Sequence, residues 1–444
     1  MSILLTVIVG VSAIFLGKHL FHKWINHLSL YSVIWVMMIT FYELKIIPYI
    51  DLTFETWVVI ISSYFCFLLG IITLKTARDS LGRTEVTFEH SNFHIDIFRD
   101  NGRLIRWFIF AFSLIGILSA LQHWMVLIDE FGSVINVLIN SHKIYRMRLL
   151  GEIKGVVPYL WLFGYFGIVL AGIYTAYKNR ITLLTLLPLI AVILKESARF
   201  TRAGILFALL EFLLSFMFFR HLLSKRDTKT FGSNKLKIIP SVLIIALILF
   251  LGASLVKIAR NPTESFQGTQ SSLTQQEGGI LISPSLYFYM SSHIGVLDRY
   301  LDKDNENLIF GAQTFFTFYG ILQKFNLVNR PDYQAKGYFI PYWSNSATYL
   351  RDLHSDFGHL GILLFPFLLG LLTTFFWYRF YENHQIIDLV VMIFLNLIIG
   401  FSFFKLVMQL PNWTFGLLIV GISLMFIEKA NRNKYPDSLV KEVK

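Results

Sequence analysis

Acid is scarce in this chain and cysteine is almost absent. Its 444 residues hold 28 Asp and Glu against 39 Lys and Arg, with one cysteine, Cys66. A lone cysteine closes no internal disulfide, and its place inside an apolar run assigns it to packing. The nucleotide motifs are missing too. There is no P-loop, no Gly-x-Ser-x-Gly and no dinucleotide fingerprint, so nucleotide chemistry has no support. No fixed-period repeat and no low-complexity tract breaks the chain.

What is present is hydrophobicity. Apolar residues make up 55% of the chain, aromatics 16%, and the mean hydropathy is +0.60. A soluble domain does not carry that composition. A helix crossing a bilayer needs about 20 mostly apolar residues. By that measure the sequence predicts an all-α polytopic membrane protein with about eleven transmembrane helices: 2–17, 28–47, 56–74, 106–127, 156–177, 181–195, 203–219, 238–256, 360–378, 386–404 and 412–428. The whole chain, 1–444, reads as one integral membrane domain. The first span has no basic stretch before it and no small-residue cleavage site, so it reads as a retained helix.

Lys and Arg gather in the segments 75–106, 220–237 and 429–444, which fall on one side if the spans alternate. The positive-inside rule makes that side cytoplasmic. The N-terminus is then periplasmic and the C-terminus cytoplasmic. The net charge of +11 is explained by anionic lipid headgroups. Nucleic acid is not an expected partner, because the cations are spread over many helix ends.

Three outer segments depart from short loops. The segment 128–155 contains an apolar pattern at helical spacing from Ser133 to Leu150, with His142, Lys143, Arg146 and Arg148 interleaved, which predicts an amphipathic or re-entrant helix. The turn Lys195 to Arg202 places Lys195, Arg199 and Arg202 on the outer side, against the charge rule, with Glu196 as the expected partner of Arg199. The loop 257–359 is too long for a connector. It opens with Lys257 to Pro262 and a flexible Gly/Ser/Thr/Gln stretch, Gln267 to Gly279. Helical patterns follow near 285–301 and 310–325, then an aromatic-rich extended piece, Tyr333 to Trp343.

The densest chemistry closes that loop. Asn345 to Gly361 packs Arg351, Asp352, His354, Asp356 and His359 into nine residues and runs straight into an apolar span. Charge at the mouth of a membrane helix is costly and usually has a function. On a helix, Asp352, Asp356 and His359 share one face, and Arg351, His354 and Ser355 another. Asp356 or His354 is a candidate general base toward a hydroxyl. The competing reading is that Ser355 or Asp356 caps the next span, in which case Asp356→Asn still caps. His354 and His359 also read as hydrogen-bonded structural residues. A divalent ion shared by Asp352 and Asp356 is a further alternative, although His354 and Asp356 stand only two apart. Asp356-Phe-Gly358 matches the kinase triplet by coincidence, with no Gly-rich loop to accompany it. The outer Arg residues Arg146, Arg148, Arg199, Arg202, Arg260 and Arg351 suit phosphate or an acidic glycan. The spans carry almost no charge at mid-depth, which weighs against a transporter.

With Asn345-x-x-Thr348, Asp356-Phe-Gly358-x-x-Gly361 and Arg199-x-x-Arg202-x-Gly204 at these places, the chain resembles the Wzy family of oligosaccharide repeat-unit polymerases, the O-antigen and capsule polymerases. The resemblance covers the whole topology. It implies a bacterial inner-membrane glycosyltransferase of the C-type fold or a relative. It implies polymerisation of undecaprenyl-pyrophosphate-linked oligosaccharides on the periplasmic face, no cofactor, and a chain-length regulator as a partner beside the membrane lipids. On that reading Arg199 and Arg202 bind pyrophosphate, with Arg146, Arg260 and Asn345 as further contacts. Arg351 orients substrate, and Asp356 or His354 is the base. An O-antigen ligase-type transferase and a flippase are the alternatives.

Overall fold

The computed structural model describes residues 3–82, 96–150, 152–201, 203–223, 284–303, 310–329, 336–383 and 385–434. The expected span 238–256, the stretch 267–279, and Arg202, Arg260 and Tyr333 lie outside the described residues, as does the side chain of Arg146.

The described chain is helical apart from one small hairpin. In order the helices are α1 (Ile3–Phe21), α2 (His27–Glu43), α3 (Phe54–Ser80), α4 (Arg99–Phe131), α5 (Val134–Ile139), α6 (Ser141–Leu150), α7 (Leu162–Lys178), α8 (Leu183–Ala198) and α9 (Ala203–Leu223). Then come α10 (Pro284–Lys303), α11 (Phe316–Gln323), α12 (Tyr349–Asn383), α13 (Ile386–Phe401) and α14 (Pro411–Lys434). Strands β1 (Tyr338–Phe339) and β2 (Trp343–Ser344) pair antiparallel between α11 and α12.

Every expected span within the described residues falls on a helix. By length and composition, six are long and apolar enough to cross a membrane: α1, α3, α4, α9, α12 and α14. Four others fall short, α2 and α7 at 17 residues, α8 and α13 at 16. At about 1.5 Å per residue such helices reach roughly 25 Å, under the thickness of a typical hydrocarbon core. The architecture is that of an all-α membrane protein.

The chain divides into two compact units. One comprises Met1–Thr87, Pro262–Glu382 and Leu395–Thr414, the other Phe88–Asn261, Asn383–Phe394 and Phe415–Lys444.

In the first unit α3 and α12 cross at glycines. A β-carbon on Gly70 would lie 2.1 Å from the Phe367 carbonyl oxygen, and one on Gly370 would lie 2.2 Å from that of Phe67. The backbones therefore meet directly, the usual device where helices pack inside a membrane. Buried polar pairs fix the register. His27 Nε2 meets Thr374 Oγ1 at 2.9 Å, the Tyr31 and Tyr349 hydroxyls meet at 2.9 Å, and Trp35 Nε1–H donates to Ser402 Oγ at 3.1 Å. Helix α10 is tied to the start of α3 by Asp298. Its Oδ1 accepts from the Thr53 amide at 2.7 Å and from the Thr53 and Thr56 hydroxyls, both at 2.8 Å. A carboxylate there satisfies free N–H groups and complements the helix dipole.

In the second unit α4 packs against α7 and α8, and α7 against α9. Ser133 caps α5 by accepting the Asn136 N–H at 3.1 Å, and α5 ends at Asn140. The expected single helix 133–150 is thus two helices, broken where the polar Asn140 side chain bonds back to the Asn136 carbonyl at 2.9 Å. Val137 of α5 and Ile144 of α6 are buried in a cluster with Leu127, Ala198 and Phe200. Of the apolar stripe read from the sequence, Val137 and Ile144 face protein, whereas Val134 and Leu138 are exposed.

Candidate functional site

The expected site residues fall in both units, and each group is built by its own turn.

In the first unit the group sits on α12, which starts at Tyr349, ahead of the expected span 360–378, and breaks at Gly358. Gly358 has φ 62° and ψ −150°, a conformation closed to side chains. A β-carbon on Gly361 would lie 2.4 Å from the Leu353 carbonyl oxygen. The Gly358-x-x-Gly361 spacing is therefore the signature of a sharp offset in the helix.

That offset sorts the titratable side chains. Arg351 is buried; its guanidinium donates to the carbonyls of Lys336 at 3.3 Å and Asn345 at 3.2 Å and pairs with Asp352 at 3.3 Å. Asn345 contributes its backbone to this bond. Asp352 also accepts the Leu406 N–H at 2.9 Å. Asp356 is 1% exposed, and its two oxygens accept the backbone N–H groups of Gln313 at 2.7 Å and Thr314 at 2.6 Å. It acts as a cap, and the segment it caps is the turn leading into α11, forty-odd residues earlier in the chain. The two carboxylates share one face as expected, yet each oxygen set is committed to a different backbone segment. Among the described residues no group of three or more His, Cys, Asp or Glu could hold a metal ion.

His354 stands apart. It is half-buried, and its Nδ1 lies 3.0 Å from the hydroxyl of Tyr300 on α10. The exposed His359 ring lies edge-on to it at 4.9 Å between centroids. Residues five apart on a regular helix do not meet; the break at Gly358 brings these two together.

His293, also on α10, is fully buried. Its Nδ1 lies 3.1 Å from the Ser346 carbonyl oxygen, and its ring packs edge-on against Phe403 and Phe404. Burial pushes its pKa down to about 4.

In the second unit the group forms around the turn from α8 to α9. Lys195 and Glu196 are 3% and 2% exposed and bonded to each other. Glu196 also accepts from the Tyr165 hydroxyl at 2.8 Å and from the Thr201 hydroxyl. The expected partnership of Glu196 with Arg199 is thus replaced: the carboxylate is held by Lys195, Tyr165 and Thr201. Lys195 Nζ lies 3.4 Å from the centre of the Trp161 ring, and the Arg199 guanidinium 5.3 Å from it. Arg148 Nη1 donates to the Arg199 carbonyl at 3.1 Å, which places a cation at the C-terminus of α8. Gly204 explains the end of the Arg199-x-x-Arg202-x-Gly204 spacing. A β-carbon there would lie 2.3 Å from the Glu196 carboxyl carbon and 2.4 Å from the Tyr165 hydroxyl. The buried His123 lies within the field of Arg199, Lys195, Arg148 and Glu196.

Sequence reasoning misses three residues. Tyr300 and His293 sit in an ordinary amphipathic pattern and become notable only through what they touch. Glu211 lies within α9, fully buried, with neither oxygen partnered among the described residues. It corrects the expectation of spans almost free of charge at mid-depth, and its signal was visible as the one acid in the run Ala203 to Phe219.

No protein-family model, curated protein or solved structure matches this chain.

Proposed function

We propose that this chain is a membrane glycosyltransferase that polymerises polyprenyl-pyrophosphate-linked oligosaccharide repeat units. The observation that carries the reading is the charge balance around Trp161. Glu196 is bound by Lys195, Tyr165 and Thr201, and among the described residues it makes no ion pair with Arg199. Arg199 is half-buried, its guanidinium 5.3 Å from the centre of the Trp161 ring. A partly desolvated guanidinium favours a polyanion such as pyrophosphate. The resemblance in the sequence points to the same substrate.

The reaction also needs a proton acceptor. Asp356 is spent on backbone bonds and Asp352 on Arg351 and the Leu406 N–H, so the role falls to His354. An acceptor sugar hydroxyl gives its proton to His354 Nε2, and its oxygen forms a bond to the donor's anomeric carbon. The bond from that carbon to the pyrophosphate oxygen breaks, and polyprenyl pyrophosphate leaves with the electron pair. The protonated His354 then returns its proton to solvent.

A flippase is the second reading, favoured by Glu211, since an ionisable side chain inside a spanning helix is a hallmark of translocation. One experiment separates the two. In cells making the polymer, Arg199→Ala at normal protein levels yields lipid-linked single repeats on the outer leaflet and no ladder. A wild-type ladder removes the anion-site assignment. Repeats trapped on the inner leaflet support the flippase.

A further inference from the structure

The Tyr300 hydroxyl reaches one nitrogen of His354, and the other has no hydrogen-bond partner among the described residues. Tyr300 is 2% exposed and comes from α10, so its position is set by packing. Its ring also meets the imidazole edge-on, at 5.6 Å between centroids. The hydrogen bond made at one imidazole nitrogen decides which nitrogen carries the proton.

We infer that Tyr300 is a positioning residue that accepts the Nδ1–H of His354 and so leaves the Nε2 lone pair free as the base. This rests on the polymerase reading above. The same bond holds the ring in place as Nε2 takes up the hydroxyl proton, because both nitrogens then carry hydrogen and Nδ1–H still has its acceptor. His359, brought to the His354 ring by the break at Gly358, also meets it edge-on.

A double-mutant cycle tests it. Wild type, Tyr300→Phe, His354→Ala and the double variant are purified in detergent. Each is assayed with a synthetic polyprenyl-pyrophosphate-linked oligosaccharide as donor and acceptor. Tyr300→Phe keeps the ring and its packing. The expected result is a kcat at least tenfold lower with KM for the donor unchanged, and a double variant no slower than His354→Ala alone. Wild-type kcat in Tyr300→Phe overturns the inference, as do independent, multiplying losses in the double variant. A wild-type His354→Ala overturns it together with the base assignment. The two failures are distinguishable: an inactive His354→Ala beside a fully active Tyr300→Phe leaves the polymerase reading standing and removes only Tyr300. A melting temperature within a few degrees of wild type confirms that Tyr300→Phe is folded.

Discussion

Asp356 and Thr314 are joined by a 2.6 Å bond from the Thr314 amide to a buried carboxylate oxygen, with the Gln313 amide on the other oxygen at 2.7 Å. The bond anchors the turn before α11 to the strained stretch of α12. It also changes what an Asn substitution does. Asn offers one acceptor oxygen and sets its amide N–H₂ against the second backbone N–H. Asp356→Asn is therefore expected to lose about 2–3 kcal/mol, because a buried donor is left unmade and faces another donor. Thermal unfolding in detergent checks this. A variant as stable as wild type contradicts the capping role.

Asp298 makes a second long-range cap, on Thr53 and Thr56 at the start of α3. Asp298→Ala is expected to cost about 1–2 kcal/mol, since a cap and two hydroxyl bonds are lost together. Limited proteolysis between α2 and α3 reads it: cleavage quickens in Asp298→Ala and stays at the wild-type rate in Asp298→Asn only if one good acceptor suffices.

The crossing of α3 and α12 leaves no room for a methyl group. Gly70→Ala and Gly370→Ala are each expected to destabilise the fold by about 1–3 kcal/mol through overpacking. Because both report on the same contact, the double variant should cost less than the sum. Melting temperatures of the three proteins decide.

His293 makes stability depend on pH. Its folded pKa is pushed down to about 4 from an ordinary 6.5. The folded state therefore binds fewer protons than the unfolded state between those values. The His293 contribution is intact above about pH 6.5 and falls as pH drops toward 4, by roughly tenfold in the folded-to-unfolded ratio per unit. His293→Asn keeps an N–H for the Ser346 carbonyl and does not titrate there. Melting curves from pH 7 to 4.5 should fall more steeply for wild type than for His293→Asn. Parallel curves contradict the assignment.

The helices were legible because an apolar run of the right length has few other uses, and each expected span within the described residues falls on a helix, six of these being long and apolar enough to cross a membrane. The turn Lys195 to Arg202 and the stretch Asn345 to Gly361 were legible as unusual, because charge beside a membrane helix is costly. Their internal wiring was not. Spacing on an isolated helix cannot show that Asp356 serves amides some 42 residues away, or that Glu196 turns to Tyr165 across 31 residues. Nor can it show the offset at Gly358, since a glycine inside an apolar run is common. Tyr300 was invisible for the same reason: its significance is a contact with a residue 54 positions later.

The proposed joining of lipid-pyrophosphate-linked repeat units without a nucleotide sugar has a direct test. The direct measurement reconstitutes the purified protein in liposomes with a synthetic polyprenyl-pyrophosphate-linked oligosaccharide as its sole glycan substrate. The expected result is a ladder of products, one polyprenyl pyrophosphate released per linkage, and loss of both in Arg199→Ala. An unchanged substrate with a folded protein, or a ladder that Arg199→Ala leaves intact, contradicts it.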